Sequence, residues 1–89
     1  MAHINFEWDP SPTAGVDSYR LYENGVEIVR DIAVLNFSLL MDGKPEGQYD
    51  YYVTAVDDDR GLESAPSNTV TADFFMPAAP VNLTLSWVA

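Results

Sequence analysis

The residues that could do chemistry in this chain are few, and the densest group is acidic. Asp57, Asp58 and Asp59 run together, and Glu63 follows shortly after. Hard cations such as calcium take several carboxylate oxygens, so these four are the candidate metal ligands. Their spacing is not that of an EF-hand loop, and acidic residues commonly sit in solvated turns, which is the plainer account of them. The expectation is no bound metal and no cofactor. His3 is the sole histidine. No metal triad and no Ser-His-Asp arrangement can be assembled around it, and a chain without cysteine has no thiol nucleophile. Carboxylates exist in number, yet nothing places two of them across a cleft, as glycoside hydrolysis requires. No glycine-rich phosphate loop occurs. The chain is expected not to be an enzyme.

Binding chemistry is narrower still. Tyr22, Tyr52 and Trp87 could line a sugar-binding face, because aromatic rings stack on apolar surfaces. Tyr22 and Tyr52 would lie on neighbouring strands, however, where aromatic pairs ordinarily stabilise the sheet itself. Asn36-Phe37-Ser38 and Asn82-Leu83-Thr84 match the glycosylation acceptor pattern, but both fall in segments that read as strands, so they count as chance matches. The net charge is −10, from 4 basic and 14 acidic residues. Phosphate binding needs clustered Lys and Arg, so nucleic acid is not an expected partner. An anionic membrane surface is disfavoured for the same reason. No stretch approaches the ~20 apolar residues of a membrane helix. No signal peptide is visible ahead of Ile4.

These residues must be held by some scaffold, and the sequence period says which. At 89 residues the chain makes one domain. A domain this short buries only about 60–65% of its unfolded surface. No disulfide can help it, which leaves an aromatic core of two Trp, five Tyr and four Phe, or contact with another chain. Ile4, Phe6 and Trp8 alternate with Asn5, Glu7 and Asp9, which is the period of a half-buried strand. Two prolines and Gly15 break the run over residues 9–15. Alternation resumes at Tyr19 and Leu21, and Asn24-Gly25 marks a tight hairpin, since a type I′ turn needs positive φ at both central residues. The returning strand is expected over residues 26–32. Another is expected over 34–40, with Phe37 and Leu39 inward. After a loop over 41–47 comes the clearest strand, 49–56, with Tyr49, Tyr51, Val53 and Ala55 on one face. A last strand is expected over about 67–74. Short strands at this spacing, with no helical window, predict an all-β sandwich or barrel. Its predicted core is Phe6, Trp8, Tyr19, Leu21, Phe37, Tyr49, Tyr51 and Val53.

The order of these features resembles a fibronectin type III domain. The matching pieces are Trp8, then Tyr19-Arg20-Leu21-Tyr22, then Pro45-Glu46-Gly47-Gln48-Tyr49, then the strand through Asp57, and last Glu63-Ser64-Ala65-Pro66-Ser67-Asn68. The resemblance runs from Ile4 to about Ala72. It implies an Ig-like antiparallel β-sandwich of about six to seven strands, in which the Tyr49 hydroxyl bonds nearby backbone, a tyrosine corner. Two departures stand out. Gly43 lies where the family has an apolar residue ahead of the proline, a place that Leu40 or Met41 could fill. The family's first strand, strand A, has no counterpart before Ile4.

A strand-like segment instead follows the sandwich, so the chain divides into residues 1–75 and a tail, 76–89. In the tail Val81, Leu83, Leu85 and Trp87 alternate with polar residues. A free edge next to the Trp8 strand and an apolar tail both call for a covering partner. The expected partners are protein subunits of a larger assembly, possible self-pairing included, by strand addition. The resemblance, in a small acidic chain without cysteine, implies a bacteriophage virion component that decorates or attaches to a capsid or tail. The alternative it implies is an accessory module of a secreted bacterial enzyme, which spaces domains or binds polysaccharide.

Overall fold

The computed structural model describes residues 2–75 and 79–88. Its elements are β1 (His3–Glu7), β2 (Ser18–Glu23), β3 (Val26–Ile32), β4 (Asn36–Leu40), β5 (Gly47–Asp57), β6 (Leu62–Glu63) and β7 (Val70–Phe74). No helix occurs among the described residues. The junction of the two segments, residues 76–78, lies outside them, as do residues 1 and 89.

All pairing is antiparallel and forms two sheets. One sheet is β1 with β4, in register from His3↔Leu40 to Glu7↔Asn36. The other runs β3-β2-β5-β6, with β7 also on β5. Period-2 sequence explains both. In β1 and β4 every second residue is half-buried: Ile4 and Phe6, then Phe37 and Leu39. These four pack on the buried cluster of Leu21, Ile32 and Tyr51 from the larger sheet, with Trp8, Tyr19, Val29, Tyr49, Val53 and Ala72 around it. The sheets thus face one another in a sandwich-like arrangement, and Phe6 meets Tyr51 at 4.9 Å between ring centroids.

Local chemistry fixes the turns. Asn24 and Gly25 both have positive φ, 50° and 82°, so the β2–β3 hairpin turns where the Asn-Gly pair predicts. The Tyr49 hydroxyl donates to the Pro45 carbonyl, which pins the entry to β5. Met41, 1% exposed, takes the interior place just before that loop, while Leu40 stays 42% exposed.

Several boundaries differ from the sequence reading. β4 begins at Asn36 rather than 34, and Trp8 lies just past the end of β1. The final strand is shorter and is preceded by the two-residue β6. The reason is local. Pro66 has no N–H to donate to a ladder, and Ser64 and Ser67 supply other partners around it. The Val53 N–H donates to Ser67 Oγ at 3.0 Å and the Ala55 N–H to Ser64 Oγ at 2.8 Å. The N–H groups of the same serines donate back to the Val53 and Ala55 carbonyls. Two serines therefore bracket the β5 backbone where a strand would otherwise pair.

Candidate interaction surface

β1 has one strand neighbour, β4, among the described residues. Bonds at its two flanks set its hydrogen-bonding phase. The Met41 N–H donates to the Ala2 carbonyl, and the Trp8 N–H to the Leu35 carbonyl. Antiparallel ladders alternate residue by residue, so Ala2, Ile4, Phe6 and Trp8 turn their backbone groups toward β4. His3, Asn5 and Glu7 turn theirs to the open edge. Three N–H and three C=O groups are thus offered to an incoming strand.

At the Glu7 end of that edge lies a groove. One part, of about 720 Å³, lies between residues 7–12 on one side and Val53, Ser64 and Ser67 on the other. A second part, of about 90 Å³, continues it inward between Phe6, Trp8, Tyr51 and Val70. The floor is therefore core material: Trp8, Phe6, Tyr51 and Val53 all belong to the central cluster. Trp8 Nε1 is buried there without a hydrogen-bond partner among the described residues. The edge of the larger sheet at β3 is different, being distorted by two register shifts against β2.

The tail is a second exposed apolar feature. Val81, Leu83, Leu85, Trp87 and Val88 are 80–98% exposed. Residues 79–88 form no strand here, contrary to the strand expected in this stretch, and Asn82 carries a positive φ of 61°. Asn tolerates that left-handed conformation better than most residues. The kink separates Val81 from the alternating run 83–88.

The candidate cation ligands are not brought together as a set. Oxygens of Asp57 and Asp59 converge with Asp17, within 4.8 Å of one another, while Asp58 and Glu63 are not in that group. Asp57 is already engaged: Arg60 Nε donates to its Oδ2 at 2.7 Å and the Arg60 backbone N–H to its Oδ1. These bonds hold its carboxyl below the usual carboxylate range. Sequence reasoning missed Asp17, whose approach depends on the β2–β5 pairing.

Glu63 sits instead on the outer face of the larger sheet. Thr54 Oγ1 and the Tyr22 hydroxyl both donate to its Oε2, and Arg20 Nη1 donates to Oε1 at 3.2 Å. Tyr22 and Tyr52 stack on each other there, 4.8 Å apart and 15° from parallel. The bonds from Thr54 and Tyr22 lower the Glu63 pKa, and the bond to Glu63 raises that of Tyr22. A depressed carboxyl pKa stabilises the fold above the unfolded value, and that contribution is lost as pH falls through the folded one. Glu63→Gln is expected to cost about 1 kcal/mol at neutral pH, given partial solvent screening. It should also reduce the loss of urea resistance below about pH 4.5. Parallel urea melts at pH 7 and pH 3.5 check this; an unchanged acid limb would mean that Glu63 gains nothing from its neighbours.

No family model, no curated protein and no solved structure matches this chain.

Proposed function

We propose that this chain is a non-catalytic interaction protein, a fibronectin type III-like domain that attaches to protein subunits of a larger assembly by strand addition. The observation that carries this reading is the open β1 edge, whose Glu7 end meets a core-floored groove. His3, Asn5 and Glu7 offer the backbone groups, and Phe6, Trp8 and Val53 offer the apolar floor. Main-chain bonding supplies affinity in such docking, and alternate side chains supply register. A virion surface is the setting this reading favours, because a small acidic domain with no disulfide suits an assembled particle. The alternative of a polysaccharide-binding module draws less support, since Tyr22 and Tyr52 each spend a ring face on the other.

An alternating Val-Thr decapeptide is a suitable probe of the edge. It should protect the His3, Asn5 and Glu7 amides from hydrogen exchange while leaving the Ile4 and Phe6 amides as they were. Asn5→Pro should abolish that binding, because proline removes a donor from the open side without touching the β4 ladder. An edge whose amides ignore the peptide would remove the docking reading. Virion placement is tested separately, by the presence of the chain at stoichiometric level in gradient-purified particles.

A further inference from the structure

We infer that the strand accepted by this groove is the apolar tail of a second copy of the same chain; the inference rests on the docking reading above. The groove and the segment that fits it are both present, both unused, and carried by one sequence. Leu83, Leu85 and Trp87 alternate with Thr84 and Ser86, and each apolar member is at least 86% exposed. Six residues in β conformation, 83–88, span roughly 20 Å, and the five-residue open edge of β1 spans a little less. Laid along His3, Asn5 and Glu7, that run would bring the large side chain at its Glu7 end onto the groove floor, with its hydroxyls turned to solvent. The sheet of two strands would become one of three.

Charge selects the tail over other surfaces of the same molecule. Every charged residue lies within residues 1–75, and residues 76–89 carry none. Bodies of net charge −10 repel one another, and the groove rim adds Glu7 and Asp9. A neutral segment is what one copy can place against that rim without like-charge cost. The tail makes no cover for its own sandwich, because its large side chains are almost fully solvated. The Asn82 kink marks where the docked run would begin.

The test uses full-length chains and native mass measurement. The wild-type chain should form dimers or larger species at high micromolar concentration. The double variant Leu85→Asp, Trp87→Asp should be monomeric, with an unchanged melting temperature because both side chains lie outside the core. Mixed with Asn5→Pro chains, it should form a one-to-one dimer and nothing larger, since one partner lacks a tail and the other a groove. A peptide of residues 79–88 should bind the double variant and protect its His3, Asn5 and Glu7 amides, which keeps the test decisive if Asn5→Pro folds poorly. A wild-type chain that stays monomeric at millimolar concentration overturns the inference, as do oligomers that persist in the double variant. In either case, binding of the Val-Thr decapeptide would leave docking of a foreign strand standing, and its failure to bind would remove that reading as well.

Discussion

Leu21→Ala is expected to lower the melting temperature by about 15 °C. Leu21 is fully buried in β2, which lies between β3 and β5. Removing it loses transfer free energy and leaves a void that a central strand cannot close, a cost of about 3 kcal/mol. A domain of this size has only about 4–13 kcal/mol of stability in total, and each kcal/mol moves its melting point by roughly 4–8 °C. Ile28→Ala on β3 is the matched control. Ile28 is 37% exposed, so its truncation should cost less than about 1 kcal/mol. Calorimetry on both variants checks the prediction; equal losses would mean that the interior is not centred on Leu21.

Tyr51→Phe should cost about 1.5 kcal/mol and alter the response to alkali. Tyr51 is fully buried, and its hydroxyl donates to Glu23 Oε2 at 2.8 Å. Glu23 keeps a second partner in Lys44 Nζ, also at 2.8 Å, so the carboxylate is not stranded when the hydroxyl goes. That places the cost at the low end for a bond to a charged group. Burial, and then the bond to Glu23, push the Tyr51 pKa well above its ordinary value of 10.0. A raised pKa stabilises the native state fully below the unfolded value, and the contribution fades as pH climbs through the folded one. Wild-type stability should therefore decline above about pH 10, and Tyr51→Phe should decline less steeply. Urea midpoints at pH 7 and pH 11 measure both effects. If the two proteins lose stability equally in alkali, Tyr51 is not the group held un-ionised.

How far these features could be read in advance depends on the range of the interaction behind them. The β2–β3 hairpin was legible because Asn24-Gly25 states its own dihedral needs. The half-buried faces of β1 and β4 were legible because strict alternation is local. β3 was not. Continued alternation from Val29 would turn Asp31 inward, yet two residues, Arg30 and Asp31, stand opposite Arg20 alone. Asp31 takes a φ of 59°, and Ile32 receives the interior place opposite Tyr19. No pattern within β3 announces that bulge, because it answers the register of β2. The Ser64 and Ser67 bracket was hidden for a similar reason: its targets are backbone groups of β5. At the candidate surface, the open edge and the apolar tail were both visible in sequence. The groove between them was not, since it depends on how far the Ser64–Asn68 stretch stands from Trp8. The acidic group was legible only as a cluster; that Asp17 joins it while Glu63 leaves it follows from strand pairing.

The bulges of β3 have a consequence for how copies could add. An edge broken twice in seven residues, and carrying Arg30 paired to Glu27 at 2.7 Å, is a poor template for a further strand. The serine bracket likewise occupies the β5 backbone on its side. With the β3 edge blunted, the proposed growth through β1 would be polar, because a molecule would accept a strand at one place and donate one from another. Such a unit can close into a ring or run on as a filament with distinguishable ends.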